Sequence, residues 1–317
     1  MATRRPTASH SANARRPIRL ILLAVAIACV IALFANLGTS GCQGGNDDQP
    51  TAAEQAEYAG KTLYQYNLDR GALALNDYDY SNLESYDGNK YYVKGSNVVS
   101  TMGIDVSESQ NSINWSKVAA SGIDFAMVRL GYRGYTEGKV QKDANYATNI
   151  KEAKAAGLKV GVYFFSQATT EDEAREEAKY VVDHLGSTQL DYPVVFDLET
   201  DVNDNARTKN LTSDEITAVA LAFCQTIEDA GYTPMVYLNK EAATHKFDLS
   251  QLQSYPLWYA EYNDTPTLGF DFAMWQYTEN GTAFGVDGNV DLDLLFDESK
   301  LAVKTSDGQD SSSSTAS

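Results

Sequence analysis

Two acidic residues, Asp197 and Glu199, lie at the end of an apolar run and are separated by a single residue. Alternate residues of a β-strand point to the same face, so in a strand their carboxylates would lie side by side, ~6–7 Å apart. Mutual repulsion and partial burial would raise one pKa and leave a neutral acid beside an ionised partner. Hydrolysis of a glycosidic bond needs this division of roles, in which one group protonates the leaving oxygen and the other stabilises positive charge at the sugar.

Further residues of suitable chemistry follow other apolar runs. Asp105 and Asp291 would join the pair if these runs are strands of one barrel, because active sites of such barrels lie at the carboxyl ends of the strands. Aromatic rings stack on the apolar faces of sugars, and their polar tips hydrogen-bond hydroxyl groups. The aromatic residues near strand ends that we expect to bind substrate are Tyr163, Phe165, Tyr237, Trp258 and Trp275.

Two alternatives to acid catalysis stay open for these carboxylates. One is a solvent-exposed strand end with capping or salt-bridge roles, and the other is a site for a hard cation. The chain has three His and three Cys without a C-x-x-C motif, so a zinc site has no support. It also has no G-x-S-x-G, Walker or G-x-G-x-x-G motif. We therefore expect neither a metal nor a cofactor.

The elements that must position these residues lie between residues 101 and 303. There, short apolar runs alternate with helical stretches, which predicts an α/β fold with a parallel sheet. Capping boxes of the S/T-x-x-E type mark helix starts at Thr170 and Thr212. Clear helices occur only in the first five units, so we predict a single (β/α)-type barrel of eight strands with reduced helices in the last units. The predicted strands are 102–106, 125–130, 159–165, 193–198, 234–238, 257–259, 272–277 and 290–295.

Charge is distributed unevenly along the chain. The 317 residues carry 25 Lys and Arg against 43 Asp and Glu, which gives a formal net charge of −18. Five of the arginines lie in residues 1–20, which contain no acid, so the rest of the chain has 20 basic against 43 acidic residues. Because nucleic-acid binding demands clustered Lys and Arg, this composition excludes a nucleic-acid partner.

Residues 20–35 form an uninterrupted apolar run directly after the arginines. As a helix this run rises about 24 Å, and with its margins it approaches the roughly 17–25 residues that span a bilayer. A basic flank before an apolar core is also the pattern of a secretory signal, but the run is long and lacks an A-x-A site. We therefore expect a single-pass membrane protein with the rest of the chain outside. Secretion after cleavage and lipidation at Cys42 are the alternatives.

The sequence divides into five predicted parts. Residues 1–19 are a cytoplasmic basic segment, and residues 20–37 are the transmembrane anchor or signal. Residues 38–100 are a Tyr-rich linker or stalk, which we expect to be partly ordered near its end. Residues 101–303 are the barrel. Residues 304–317 are a low-complexity tail, rich in Ser, that is predicted to be disordered.

The barrel region resembles glycoside hydrolase family 25, the lysozymes of the Chalaropsis type, over roughly residues 102–296. Several segments in the same order along one chain carry the resemblance. They are Gly103-Ile104-Asp105-Val106-Ser107, Ala126-Met127-Val128-Arg129, Ala155-Ala156-Gly157-Leu158, Gly161-Val162-Tyr163-Phe164-Phe165, Phe196-Asp197-Leu198-Glu199, Trp275-Gln276-Tyr277 and Gly288-Asn289-Val290-Asp291-Leu292-Asp293.

The resemblance implies a muramidase that hydrolyses the β-1,4 bond between N-acetylmuramic acid and N-acetylglucosamine in peptidoglycan glycan strands, in cell-wall remodelling. It implies that Glu199 is the general acid, Asp197 its carboxylate partner, and Asp105 and Asp291 the other acids of the site. The family commonly has Asn where this chain has Asp293.

Two other functions stay open. One is a cell-wall glycan-binding protein without catalysis, although binding alone would not need Glu199 beside Asp197. The other is a chitinase-like glycosidase, whose usual run is Asp-x-x-Asp-x-Asp-x-Glu. Aligned on the acidic pair, Tyr192 and Val195 stand where the first two acids of that run belong.

Overall fold

The computed structural model describes residues 51–199 and 205–304. The predicted anchor at 20–37, the alternative lipidation site at Cys42 and nearly all of the predicted tail lie outside these residues. Within the described residues, no helix is both long and apolar enough to cross a membrane.

The described part of the Tyr-rich segment contains regular structure from residue 52. It forms helices α1 (Ala52–Tyr58) and α2 (Leu63–Asp69), then a small antiparallel sheet of β1 (Leu83–Tyr86), β2 (Asn89–Lys94) and β3 (Asn97–Val98). The side-chain oxygen of Thr51 accepts a hydrogen bond from the Glu54 amide in a capping box, which satisfies the free amides at the start of α1.

The rest of the described chain forms a closed barrel of eight strands, as the sequence predicts. Each strand neighbours the next in the order of the chain, and the last strand pairs with the first. The barrel strands are β4 (Thr101–Val106), β5 (Phe125–Arg133), β7 (Lys159–Ser166), β8 (Val194–Leu198), β9 (Pro234–Asn239), β10 (Leu257–Ala260), β11 (Met274–Gly281) and β12 (Val290–Leu295). A short strand, β6 (Val140–Lys142), pairs antiparallel with the end of β5.

The prediction of a parallel sheet is wrong for the last strand. The first seven barrel strands, β4, β5 and β7 to β11, are parallel to one another. The eighth, β12, runs antiparallel to both of its neighbours, β11 and β4. Only residues 282–289 connect β11 to β12, and a parallel crossover needs a dozen or more residues. The reversal places the beginning of β12, with Asp291, at the barrel edge where the other strands end.

Helices cover the first part of the barrel. They are α3 (Trp115–Ala120), α4 (Tyr146–Ala155), α5 (Glu171–Leu185) and α6 (Ser213–Asp229), followed by a π-helical turn at Ala242–Lys246. The predicted helix starts are confirmed, because Thr170 and Thr212 each accept a hydrogen bond from a backbone amide at the third helical position. The described residues between β10, β11 and β12 contain no α-helix, which agrees with the predicted reduction.

The Tyr-rich segment packs on the side of the barrel that these missing helices leave open. The ring of Tyr78 stacks on Phe296 with centroids 4.3 Å apart, and its hydroxyl donates to the Phe272 carbonyl oxygen at 2.6 Å. Tyr92 contacts the same Phe296 ring edge-on. Aromatic pairs of this kind contribute about 0.5–1.5 kcal/mol beyond their buried area. The segment therefore shields apolar side chains at the edges of β11 and β12 from water.

The barrel interior below the acids is apolar and closely packed. Side chains of Phe125, Met127, Val195 and Met235 fill it and are inaccessible to solvent. Gly103 is required there, because a Cβ atom at this position would lie 2.2 Å from the Phe125 ring. This floor excludes water from beneath the carboxylates that follow on the same strands.

Candidate active site

Strand alternation brings the four predicted acids to one end of the barrel. On β8, Val195 belongs to the apolar interior, so Asp197, two residues later, points to the same side. Glu199 follows at the mouth and is half-buried. Asp105 on β4 is paired directly with Asp291 on β12.

The charges around Asp197 and Glu199 differ in sign. Burial and then the charges of Asp291 and Glu279 raise the pKa of Glu199 to about 7. Burial and then the charge of Glu199 raise the pKa of Asp197 well above its ordinary value, and the Arg129 guanidinium opposes only part of that increase. Two buried carboxyl groups that interact in this way hold one shared proton more readily than two negative charges. The pair therefore keeps near neutral pH a proton that an acid catalyst can donate.

Arg129 is held at the mouth by two acids from other loops. Its Nε atom donates to Asp143 Oδ2 at 2.8 Å, and its guanidinium lies 3.4 Å from Glu108 Oε1. Asp143 is fully buried and also accepts hydrogen bonds from the backbone amides of Glu108 and Asn145. Both oxygens of the Asp143 carboxylate accept hydrogen bonds, so its position is fixed. The hydrogen bond from Arg129 to this carboxylate therefore fixes the orientation of the guanidinium.

A hydrogen-bonded chain fixes the second pair of acids. Gln276 Nε2 donates to Asp105 Oδ2 at 2.7 Å, and the Gln276 Oε1 atom accepts from the hydroxyls of Tyr237 and Tyr262, each at 3.0 Å. Burial is the largest cause that raises the pKa of Asp105, and the charge of Asp291 adds to it. Burial also raises the pKa of Asp291 to about 6, against the effect of its hydrogen bond with Asp105. Asp105 and Asp291 therefore share a proton more readily than they carry two charges.

Asp293 lies deeper in the barrel, two residues along β12 from Asp291. It is fully buried, and its Oδ1 atom accepts a hydrogen bond from Trp258 Nε1 at 2.9 Å. Its Oδ2 atom is buried without a partner among the described residues. Burial and the charge of Asp291 raise the pKa of Asp293, which favours the neutral form of this carboxyl at a position where the family commonly has Asn.

Four of the five predicted aromatic residues lie at the mouth or directly below it. Trp258 packs edge-on between Tyr163 and Tyr237, with ring centroids 6.1 and 5.0 Å away. Phe165 is half-buried at the rim, where its ring meets that of Tyr135.

Trp275, the fifth predicted aromatic residue, lies outside the barrel. Its ring is fully buried and stacks on Phe296, and its Nε1 atom donates to the Glu261 carbonyl oxygen at 2.8 Å. The neighbouring Gln276 takes the inward position instead. The apolar residues of β11 occupy both faces, so the sequence contains no alternation that would show which face is inward.

Three site residues were absent from the sequence-based set: Arg129, Gln276 and Tyr262. A signal existed for Gln276, because a single amide between two large aromatic residues in a buried strand must find a polar partner. Arg129 offered a similar signal as a charged residue at the end of a buried strand. Tyr262 follows β10 in a loop, and its contact with Gln276 depends on tertiary structure alone. Within the described residues, no group of three or more His, Cys, Asp or Glu side chains is arranged to hold a metal ion.

An eight-stranded barrel with two pairs of carboxyl groups and aromatic residues at its mouth defines a glycosidase-type site. The chain belongs to the glycosyl hydrolases family 25, whose sequence model matches residues 104–286. The match contains Asp105, Asp197 and Glu199.

Individual relatives agree with this family. The chain is 26% identical over 192 residues to the autolytic lysozyme of Clostridium acetobutylicum, covering 60% of this chain and 54% of that protein. It is 30% identical over 214 residues to lysozyme M1 of Streptomyces globisporus, covering 60% and 65% of the two chains. The modular autolysin LytC of Streptococcus pneumoniae superposes with a TM-score of 0.57 at 26% identity, over 67% of this chain and 51% of that one. This chain thus spans less than two thirds of each of these relatives.

Proposed function

We propose that this protein hydrolyses the β-1,4 bond between N-acetylmuramic acid and N-acetylglucosamine of peptidoglycan, in remodelling of the cell wall. The observation that carries the proposal is the geometry of the mouth, where Asp197 and Glu199 follow one another at the end of β8 and burial raises both of their pKa values, that of Glu199 to about 7. Two relatives in the family are lysozymes, and the pneumococcal autolysin has been solved with a synthetic peptidoglycan ligand.

In the proposed mechanism, Glu199 protonates the glycosidic oxygen as the bond to the sugar breaks. Positive charge develops at the anomeric carbon as this bond breaks, and Asp197 has one of two roles. It either orients the substrate's 2-acetamido group, which bonds to that carbon until water displaces it, or it supports a water molecule that attacks the carbon directly. In both cases water supplies the new hydroxyl group at the anomeric carbon. The charge of Arg129 favours the ionised form of Asp197 against the burial that opposes it. Gln276 fixes the Asp105 carboxyl at the opposite side of the mouth.

Activity is expected to fall as pH rises through about 7, because burial and the charges of Asp291 and Glu279 raise the pKa of Glu199 to about 7. The acid must carry its proton, which it does below this pH and loses above it. On the acidic side, protonation of the ionised carboxylates is expected to lower activity again, giving a bell-shaped profile. The measurement is kcat/KM against pH. An alkaline limb near the ordinary glutamate value of about 4.3 would contradict the assignment.

The substrate is tested with purified protein and purified cell walls. The expected result is clearing of the suspension with release of new reducing ends that carry N-acetylmuramic acid. Chitin is the comparison substrate, and activity on chitin alone would transfer the assignment to the chitinase-like alternative. Binding to cell walls without new reducing ends would favour the non-catalytic alternative.

We also propose that residues 20–37 anchor the protein in the cell membrane, with the barrel outside. Support comes from the sequence, where an apolar run of spanning length follows a basic segment. After fractionation of cells that make the intact chain, the protein is expected with the membranes and resistant to carbonate extraction. A wholly secreted product would indicate signal cleavage. Incorporation of labelled fatty acid that depends on Cys42 would indicate a lipoprotein.

A further inference from the structure

A groove of about 540 Å³ begins at Tyr262, at the edge of the mouth, and ends at the tip of the β1–β2 hairpin. Four separate parts of the chain line it: the hairpin tip at 87–90, the loop at 262–264, the end of β11 with Thr282, and Leu292 of β12. The hairpin precedes residue 104, where the match to the family begins. The groove is therefore built in part by residues outside the family's common sequence.

Hydrogen bonds connect Tyr262, in the lining of the groove, to the catalytic acids. The Tyr262 hydroxyl donates to Gln276 Oε1 at 3.0 Å, and Gln276 donates in turn to Asp105 Oδ2 at 2.7 Å. Tyr262 is 48% exposed, so part of its side chain is accessible to a ligand. A polymer bound across the acids can thus continue over this ring towards the hairpin.

The lining of the groove is polar, with Asp87, Lys90 and Asp264 beside amide and aromatic side chains. Within the described part of the chain, the side-chain amides of Asn89 and Asn263 make no hydrogen bond. An amide can donate and accept at once, which matches the hydroxyl and acetamido groups of an N-acetylated sugar. The exposed Tyr262 ring offers a surface on which a sugar ring can stack. These amides and this ring are the groups that a sugar-binding groove needs.

Other contacts hold the hairpin tip in place. Lys90 Nζ donates to the Asp264 carbonyl oxygen at 2.9 Å and lies 5.5 Å from the centroid of the Trp275 ring. The turn has positive φ angles at Asp87 (51°) and Gly88 (80°), as a tight two-residue hairpin requires. The groove is thus preformed on the barrel, and a ligand need not order it.

We propose that this groove is an additional subsite that binds N-acetylated sugars of the glycan strand beyond those at the cleaved bond. The proposal rests on the proposed function, since it extends the same glycan. The Tyr-rich segment has two roles in this arrangement: it shields the barrel side that lacks helices, and it lengthens the substrate cleft.

The test compares a short glycan fragment of two disaccharide repeats with a long glycan strand. In the Asn89→Ala/Asn263→Ala double variant, kcat/KM for the long strand is expected to fall about thirtyfold, since each of the two lost hydrogen bonds costs on the order of 1 kcal/mol. The short fragment is expected to be cleaved at the wild-type rate. The matched control is Asn97→Ala, which changes an exposed Asn of the same small sheet outside the groove. Equal losses on both substrates, or no loss on either, would overturn the subsite.

A binding experiment separates this proposal from the proposed function. In a Glu199→Gln background, affinity for the uncleaved long strand is measured with and without the two Asn substitutions. A wild-type protein that releases no reducing ends from either substrate would reject the muramidase function. Equal affinity for the long strand with and without the two Asn substitutions would reject the subsite, whatever the outcome of the cleavage assay.

Discussion

Glu199→Gln is expected to lower kcat on peptidoglycan by about 10²–10⁴-fold, the range typical of a lost general acid. The amide has nearly the same shape but cannot give a proton to the leaving oxygen. The fold should be unaffected, because Glu199 is half-buried and the charges that act on it, Asp291 and Glu279, repel it when it is ionised. Initial rates of reducing-end release and a thermal unfolding curve measure the two effects.

A substrate with a nitrophenyl leaving group gives the sharper form of this test. Such a group leaves without protonation, so the variant should recover most of its activity on it while staying inactive on peptidoglycan. The matched control is Glu152→Gln, which makes the same change on the exposed surface of α4. Full activity of Glu199→Gln on peptidoglycan, or equal losses on both substrates, would remove Glu199 from the role of acid.

Asp197→Asn is expected to lower kcat by about 10²–10³-fold with little change in KM, because the positive charge it stabilises exists only in the transition state. A second effect should appear in the pH profile. The interaction between the charges of Asp197 and Glu199 is mutual, so removal of one charge lowers the pKa of the other group. The alkaline limb of the variant should therefore lie at lower pH than that of the wild type.

The shift of the alkaline limb distinguishes a direct electrostatic role from simple damage to the fold. Asp183→Asn, on the exposed face of α5, serves as the control and should leave both kcat and the pH profile unchanged. An unshifted limb in Asp197→Asn would show that the two carboxyls are not coupled. The anomeric configuration of the first product, followed by NMR, then separates the two roles of Asp197: substrate assistance retains the β configuration, and direct attack by water inverts it.

Much of the site could be predicted because its signals are local. Asp197 and Glu199 stand two residues apart after a buried strand, and strand geometry alone places them on one face. The same reasoning identified Tyr163 and Tyr237, whose strands each place one large aromatic side chain in the interior near the mouth. The eight strands were predicted with nearly their observed bounds, because each is an apolar run bounded by turn or helix signals.

The errors and omissions in the sequence-based predictions concern features for which the sequence contains no local pattern. Strand β11 is buried on both faces, so its sequence does not show that Gln276 points inward and Trp275 outward. The orientation of Arg129 depends on Asp143, which follows β6 in a different part of the chain. Likewise, the sequence predicted a Tyr-rich linker or stalk with partial order near its end, but not that Tyr78 and Tyr92 would pack on Phe296.

By itself, the sequence determined which acids this protein can use, how many strands carry them, and which family it belongs to. Spacing along a strand is a local property, and a few residues suffice to establish it. Only the tertiary structure decided the direction of β12, which brings Asp291 opposite Asp105. It also decided the position of Arg129 near Asp197, and the groove that runs from Tyr262 to the hairpin. These features arise from contacts between residues far apart in the chain, where closure of the barrel determines which side chains meet.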